Sequence, residues 1–560
     1  MARPPAAASG ETLHTPGGPR WRLFLILAFA LAARLFVALT HPIDYNAYWH
    51  VFIARNLTRE HASLAHPPLF LLLLKVADLV EHSPLVYQSV ALLAGIGVVA
   101  LTRTVLLRLR VCAATADLGA LTMATAQPAV FLSCGVQSYM LAAFFILLSF
   151  LPYLDLVREP IAGRRARVAF AVLVSLALLT EYYTAFYLMA CVAAPVLLAV
   201  FRPADRDAFT CSLPRRLPAD VATLLPPAIV GTSIYLLLAR PWVQKFDTLP
   251  EFYFQPGRER AGAFLIRNLR NLFNIFSPFT VRSPGWAAAL ALGFAAVVFL
   301  VAIRDSASEA AGGLRAVPAA VLIALLGIGM GMGLRGPYPF GGLMRQQFLY
   351  FLFAVPAGLI AFDRVVRRVR GARARNALVG AFVLSIAVNL LWHARDFQNV
   401  GGPHFAPQAR IFHDTFPAAV TVQVDQLNLI GFFIPHDDWN WRFVGREPGN
   451  PAVERYELQK SGKRLTLVAH RDRWNFDFFD PGLYPALRSA LHSGDPDCFD
   501  VFCVHTNLYK PPERRLPDLD STQVTAQILR LGPRAGLRPG KVVFRGNDVY
   551  AEFCRIATSP

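Results

Sequence analysis

Charged side chains are scarce in this sequence. Only 16% of its 560 residues are Asp, Glu, Lys or Arg, whereas 55% are hydrophobic and the mean hydropathy is +0.41. A soluble chain of this length would carry about a quarter charged residues. The low share therefore excludes a purely soluble protein and indicates a polytopic membrane protein with some soluble mass attached.

Lysine is especially rare, with only 6 of the 55 basic residues, so arginine supplies most of the positive charge behind the net +18. The arginines cluster in short loops between apolar runs, without a basic stripe or an aromatic nucleic-acid motif. This pattern argues against nucleic-acid binding and is typical of cytoplasmic loops that face anionic lipid. The excess of Arg over Lys indicates a GC-rich bacterial genome, and hence the inner (plasma) membrane.

Cysteine is sparse too, and its seven residues form no CxxC pair or His/Cys metal spacing. Four of them lie in or beside apolar runs, where a thiol acts as a small apolar side chain. Cys498, Cys503 and Cys554 lie in the polar C-terminal region and allow one disulfide if that region is extracytoplasmic. No P-loop, GxGxxG, HExxH or GxSxG motif occurs in a usable context, so nucleotide-driven transport has no support.

Eleven apolar runs are long enough to cross a bilayer, which takes roughly 20 residues. The run 67–83 is not counted, because Lys75, Asp78 and Glu81 share one helical face, which suits a helix lying in the membrane interface. With the N-terminus inside, every Arg-rich short loop then falls on the cytoplasmic side. The predicted spans are 21–40, 85–104, 113–133, 139–156, 167–182, 184–201, 220–239, 286–304, 316–334, 346–363 and 376–393.

The predicted fold class is therefore mainly α, a polytopic membrane protein with interfacial helices in its first outer loop. Residues 1–20 are expected to form a disordered cytoplasmic tail, and 21–393 the transmembrane module. Strand-like runs after residue 393 predict an extracytoplasmic α/β or α+β domain. This topology places four polar regions on the outer face: 41–84, 240–285, 335–345 and 394–560.

Asp44 stands among aromatic residues in the first outer loop, directly before Tyr45 and one helical turn from Tyr48. A carboxylate there could accept a proton from an incoming hydroxyl, or it could cap a helix. Its place in an interfacial loop against the other spans favours a function. His66, before two prolines, is either a ligand for phosphate or metal or a polar loop residue.

Other charged residues are predicted near the outer face. Glu181, at the end of the run 167–182, should line an outward-facing cavity. Arg335 and Arg345 flank a Gly/Pro-rich turn and suit a phosphate, with lipid anchoring as the alternative. Arg34 lies within the first span, where it would either snorkel to the interface or pair with an anion in a cavity.

The order and spacing of several motifs resemble the GT-C superfamily of membrane glycosyltransferases. The similarity is to the branch of protein O-mannosyltransferases and lipid A aminoarabinose transferases, and it covers most of residues 20–430. The matching segments are DYNAYWH, HPPLF, PAVFLSCGVQSYM, LLTEYYTAFYL, MRQQFLYFLF and VTVQVDQLNLIGFFIP.

This resemblance implies an inverting transfer from a polyprenyl-phosphate sugar to a hydroxyl of a lipid, glycan or protein acceptor. Asp44 takes the role of general base. Whether a divalent cation binds at this position is left open, because this chain has Asp44-Tyr45 where most relatives have Asp-Glu. The predicted substrate-binding residues are Tyr45, Tyr48, His66, Gln137, Tyr139, Glu181, Arg335 and Arg345, with Arg345 at the donor phosphate.

Two other interpretations stay open. A lipid or oligosaccharide transporter should carry inverted repeats or helices broken at mid-membrane, and the sequence predicts neither. A non-catalytic membrane binding protein would instead use its C-terminal region to hold a partner.

Overall fold

A computed structural model gives the fold of the chain. It describes residues 20–40, 50–51, 54, 68–81, 83–158, 163–201, 203–239, 254, 259–276, 313–336, 338–341, 344–397 and seven strands between 419 and 556.

Helices dominate the described residues up to 397, as the apolar runs predict. A π-helical turn, Tyr235–Ala239, extends the helix Pro203–Ile234, and a 3-10 turn, Gly313–Ala316, precedes the helix Val317–Leu334. The helices are α1 (Arg20–Thr40), α2 (Pro68–Val80), α3 (Pro84–Arg108), α4 (Ala113–Thr125), α5 (Gln127–Cys134), α6 (Tyr139–Arg158), α7 (Arg164–Leu178), α8 (Thr184–Phe201), α9 (Pro203–Ile234), α10 (Ala261–Phe276), α11 (Val317–Leu334), α12 (Met344–Arg368) and α13 (Ala372–Phe397).

Six helical segments among the described residues are long and apolar enough to cross a membrane. They are Arg20–Leu39, Pro84–Arg108, Tyr139–Arg158, Ala219–Leu237, Leu314–Leu334 and Met344–Arg368. The predicted mainly α, multi-pass membrane fold is thereby confirmed. The predicted total of eleven spans is not confirmed. The predicted span 286–304 lies outside the described residues.

The helices form one packed bundle. Within it, α6 packs against both α3 and α7, while α8 packs against α11. Aromatic rings fill the centre, where Phe353 of α12 lies 5.2 Å from Phe150 of α6 and 5.6 Å from Tyr187 of α8, measured between ring centroids. These contacts fix α6, α8 and α12 relative to one another, and the candidate site lies at the starts of these helices.

Helix α7 ends earlier than the run 167–182 predicts, at Leu178. Two threonine hydroxyls bond the carbonyl groups of its last turn: Thr180 Oγ1 donates to Leu176 O at 2.7 Å, and Thr184 Oγ1 donates to Ala177 O at 3.1 Å. Leu176 O is thereby satisfied at the helix end, whereas Ala177 O also accepts from the backbone N–H groups of Thr180 and Glu181. Glu181 therefore lies in the turn between α7 and α8, outside both helices.

The predicted span 113–133 is divided into α4 and α5. Ala126 has an extended backbone at the division, and Pro128 follows within the first turn of α5. Proline has no N–H to donate to the carbonyl group four residues earlier, but it fits the first turn of a new helix. The carbonyl groups of Met123 and Ala124 consequently lose their helical partners.

Arg34 donates hydrogen bonds to these freed carbonyl groups. It neither snorkels to the interface nor pairs with an anion, so both predicted roles are wrong. Its guanidinium donates to Met123 O and Ala124 O at 3.1 Å each, to Ala30 O at 3.2 Å and to Ser133 Oγ at 3.0 Å. The side chain is fully buried. The prediction of one continuous span over 113–133 was wrong, but Arg34 occupies the carbonyl groups at the break.

We expect Arg34→Met to lower the free energy of unfolding by about 2 kcal/mol. Hydrogen bonds from a charged donor contribute about 1.5–3 kcal/mol each, and the smaller desolvation cost of methionine offsets part of their loss. Thermal unfolding in detergent would measure the change. Arg22→Met in the exposed first turn of α1 is the control, and equal losses in both variants would contradict this role for Arg34.

Helix α2 corresponds to the run that the sequence excludes from the spans. It has 13 residues, about 20 Å, which is too short to cross a bilayer. Phe70 and Leu74 are buried against the bundle, whereas Val76 and Leu79 are exposed. Tyr87 of α3 donates a hydrogen bond to Asp78. The predicted place of α2 along the membrane interface remains a prediction.

A seven-stranded mixed sheet forms the described C-terminal part, in the order β2-β3-β4-β1-β5-β7-β6. The central β1 is parallel to β4 and β5, and the other neighbours are antiparallel. Strands β1, β4 and β6 include the strand-like runs of the sequence, which are 420–424, 465–468 and 542–544. The strands are β1 (Ala419–Val424), β2 (Asn440–Glu447), β3 (Asn450–Lys460), β4 (Lys463–His470), β5 (Val501–Thr506), β6 (Leu537–Arg545) and β7 (Val549–Ile556).

Candidate functional site

A cluster of polar residues lies where α6, α8 and α12 begin. Gln137 and Ser138 precede α6, Glu181 precedes α8, and Arg345 is the second residue of α12. Gln137, Ser138 and Glu181 are buried. Buried polar side chains are costly unless they are paired, so such a cluster at a helix-bundle end marks a candidate site.

Two tyrosines and an arginine form a stack in this cluster. The rings of Tyr139 and Tyr183 are parallel within 1°, with centroids 5.9 Å apart, and Tyr183 donates a hydrogen bond to Tyr139 O at 3.1 Å. The Arg345 guanidinium carbon lies 5.9 Å from the Tyr139 ring centroid. The ring face attracts the cation and so holds Arg345 in place.

Arg345 retains hydrogen-bonding capacity. Its Nε is buried and makes no hydrogen bond within the described part of the chain. A guanidinium presents its donors in a planar fork that matches the oxygen atoms of phosphate or carboxylate. Arg345 is therefore suited to binding an anionic group that enters the cluster.

Glu181 is the carboxylate of this cluster. Ser138 Oγ donates to its Oε2, and the backbone N–H of Tyr182 donates to its Oε1 at 3.2 Å. Burial raises the pKa of Glu181 from 4.5 to about 7, although both hydrogen bonds and the charge of Arg345 lower it in part. Near neutral pH this group can thus hold or release a proton.

Hydrogen bonds between the preceding turn and the start of α12 fix the part of the helix that carries Arg345. Gln347 Nε2 donates to Pro339 O at 2.7 Å, and Tyr338 donates to Gln346 O at 3.1 Å. The Tyr338 ring also meets Phe186 of α8 edge-on, 4.8 Å between centroids. Sequence reasoning missed these positioning residues, because polar side chains in a loop produce no periodic pattern.

The segment between α1 and α2 reaches this cluster through the start of α2. Leu69 N donates to Leu179 O at 2.9 Å, two residues before Glu181. His50 is buried, and its ring meets Phe70 edge-on at 6.0 Å. Both ends of the segment 51–68 are therefore anchored near one corner of the bundle.

The predicted site residues divide into three groups. Gln137, Tyr139, Glu181 and Arg345 come together in the cluster. Arg335 caps the C-terminal end of α11 with an exposed side chain, and no described contact joins it to the cluster. Asp44, Tyr45, Tyr48 and His66 lie outside the described residues.

The described residues contain no group of three or more His, Cys, Asp or Glu side chains that could hold a metal ion. Glu181 already accepts two hydrogen bonds. The residues of the cluster that the structure describes therefore do not fit a divalent cation by themselves, and the open question of a cation depends on Asp44 and His66.

No protein-family model and no curated protein sequence matches the chain. Solved structures do match. The crystal structure of ArnT from Cupriavidus metallidurans in the apo state is 15% identical with a TM-score of 0.53, over 97% of this chain and 99% of that chain. The chain shares the fold of ArnT. The crystal structure of ArnT from the same organism bound to undecaprenyl phosphate is 13% identical with a TM-score of 0.54, over 97% of this chain and 100% of that one.

The ArnT fold extends over nearly the whole chain and confirms the GT-C-like fold that the sequence motifs predict. Identities of 15% and 13% establish a shared fold and no more. Function must be argued from the residues of the site, because one fold can host different activities.

Proposed function

We propose that this chain is an integral-membrane glycosyltransferase. It transfers a sugar from a polyprenyl-phosphate donor to a hydroxyl of a lipid, glycan or protein acceptor, with inversion at the sugar carbon and on the extracytoplasmic face. The observation that carries the proposal is the half-buried Arg345, whose buried Nε has no hydrogen-bond partner in the described part of an ArnT-like fold.

Two findings support a lipid-linked phosphate as the group that Arg345 binds. The similar ArnT structure contains undecaprenyl phosphate. In this chain the arginine lies at a bundle end, so a polyprenyl tail could remain in the bilayer while its phosphate reaches the cluster. Such a donor carries its own leaving group, which agrees with the lack of a nucleotide-binding motif.

The transfer needs one proton acceptor and one stabilised leaving group. The acceptor oxygen attacks the sugar carbon from the face opposite the phosphate and forms the new glycosidic bond. Asp44 takes the proton of the acceptor hydroxyl. The bond from the sugar carbon to the phosphate oxygen breaks with its electron pair, and Arg345 stabilises the negative charge on the departing polyprenyl phosphate.

The remaining predicted residues bind and orient the substrates. Tyr139 positions Arg345 through its ring, and Glu181 adjusts the charge around it. Tyr45, Tyr48, His66 and Gln137 shape the sugar and acceptor site, while Arg335 is the alternative phosphate ligand.

The experiment that tests this function uses the purified full-length protein with labelled undecaprenyl-phosphate hexoses and pentoses. Release of undecaprenyl phosphate reports transfer, and membrane extracts supply acceptors. Turnover of at least one donor supports the proposal. Binding of donors without any release would instead favour a transporter or a non-catalytic binding protein.

Arg345→Gln should weaken the binding of undecaprenyl phosphate at least about tenfold, because a hydrogen bond to a charged group contributes about 1.5–3 kcal/mol. The affinity can be measured by microscale thermophoresis in detergent. Arg335→Gln is the matched comparison, since both arginines flank the same turn. A larger loss in Arg335→Gln would transfer the phosphate role to Arg335.

A further inference from the structure

We infer that an open groove between α6 and α7, at the end of the bundle opposite the Arg345 cluster, binds an anionic phospholipid. Arginines at its mouth bind the phosphate, and the apolar wall between the helices receives the start of an acyl chain. This site is separate from the proposed transfer reaction and does not depend on it.

The groove has the size and composition of a ligand site. Its volume is about 600 Å³, and pockets for small molecules typically have about 300–1,000 Å³. Leu148, Leu151 and Pro152 of α6 form one wall, and Ala169 and Leu173 of α7 form the other. All five side chains are half-buried, so the apolar wall is accessible from outside the bundle.

The sequence explains why the helices leave space here. Pro152 lies inside α6 and cannot donate to the carbonyl group of Leu148, and its ring crowds the preceding turn. The facing positions of α7 carry small residues, Ala166 and Ala169. A proline inside one helix, opposite small side chains on the other, leaves a gap that neither helix fills.

The mouth of the groove carries excess positive charge. Arg108, Arg158 and Arg165 line it together with Asp155, which is the only acidic residue among the described lining residues. Arg108 pairs with Asp155. No described residue forms an ion pair with Arg158 or Arg165, so these two arginines are available to complement an anion.

The start of α7 adds a reason to expect that anion. Arg165 of the groove lies in the first turn, where positive charge is unfavourable because the helix N-terminus is itself partly positive. Gly163 caps this helix without a side-chain hydrogen bond. A phosphate at this point would accept from the helix N–H groups and pair with Arg165, as anions do at other helix N-termini.

The apolar wall distinguishes a lipid from a free anion. A free phosphate would occupy only the charged mouth and leave Leu148, Leu151 and Leu173 uncovered. An anionic phospholipid covers both parts at once. Basic pockets between membrane helices bind the head groups of such lipids elsewhere.

The test uses the full-length chain in nanodiscs of phosphatidylcholine that contain a minor fraction of phosphatidylglycerol. Native mass spectrometry then measures the phosphatidylglycerol that the released protein retains. We expect the double variant R158Q/R165Q to bind it about thirtyfold more weakly than the wild type. Arg164→Gln is the matched control, because Arg164 is equally exposed but does not line the groove, and it should bind as the wild type does.

A second variant tests the groove without changing charge. Ala169→Leu fills the apolar wall and should also reduce the retained phosphatidylglycerol. The proposal is overturned if the double variant retains the lipid, if Arg164→Gln loses as much as the double variant, or if Ala169→Leu has no effect. Displacement of the lipid by inorganic phosphate would overturn it as well, since it would identify a site for free anions.

Discussion

Replacing Asp44 with asparagine is expected to lower the rate of sugar transfer at least about a hundredfold. A positioned general base contributes roughly 10²–10⁴ to the rate of a reaction in which a proton must leave in the transition state. Asparagine has nearly the same shape but cannot accept that proton. The release of undecaprenyl phosphate from a labelled undecaprenyl-phosphate sugar measures the effect.

The binding of the donor separates this role from a structural one. Asp44→Asn should still bind undecaprenyl phosphate with wild-type affinity, because Arg345 rather than Asp44 is assigned to the phosphate. Glu81→Gln is the control for charge, since Glu81 is an exposed carboxylate just after α2. Transfer by Asp44→Asn at the wild-type rate would remove Asp44 from the mechanism.

The position of the loop makes this role plausible on physical grounds. His50 is buried against Phe70, and Leu69 N bonds Leu179 O in the turn that carries Glu181. Asp44 is only six residues before His50 in the chain. Fully extended, six residues span at most about 20 Å, so Asp44 stays within that distance of His50.

Apolar runs in the sequence predict most of the helices. The run 184–201 matches α8 in full, and 316–334 differs from α11 by a single residue. Long apolar segments leave the chain few alternatives in a membrane, because a helix satisfies every backbone hydrogen bond internally. Helix ends are less predictable, as α7 shows, where backbone N–H groups and threonine hydroxyls together bond the carbonyl groups of the last turn.

The break between α4 and α5 and the role of Arg34 could not be predicted in the same way. Gln127-Pro128 was a visible signal for a break, but the apolar run continued past it. The sequence suggests side chains or anions as partners of Arg34. In the structure, its main partners are the backbone carbonyl groups of Met123 and Ala124. A sequence does not show which backbone carbonyl groups will be free to accept a hydrogen bond from a side chain.

The sequence identifies residues of the candidate site, but it does not predict the contacts between them. Glu181, Tyr139 and Arg345 were selected from the sequence, and the structure places them in one cluster. Their function remains a prediction. The hydrogen bond from Ser138 to Glu181 joins residues 43 positions apart, and only the tertiary fold reveals it.

The wild-type protein is expected to lose stability as the pH rises, because Glu181 must release a buried proton. The variant Glu181→Gln is expected to abolish this pH-dependent loss. Burial holds the pKa of folded Glu181 at about 7, against an ordinary value of 4.5. Between these pH values the folded chain keeps a proton that the unfolded chain has released, so wild-type stability falls as the pH rises. The total loss is about 3 kcal/mol, and it is complete only above pH 7.

Glutamine at this position does not titrate, so the variant should keep its stability across that range and unfold at a higher temperature than the wild type at pH 8. Thermal unfolding in detergent between pH 5 and pH 8 measures both curves. Glu81→Gln should follow the wild-type curve. A Glu181→Gln curve parallel to that of the wild type would show that Glu181 does not hold its proton in the folded protein. Arg345 would then already be neutralised by Glu181 at neutral pH, and a phosphate would have to compete with that carboxylate for the same guanidinium.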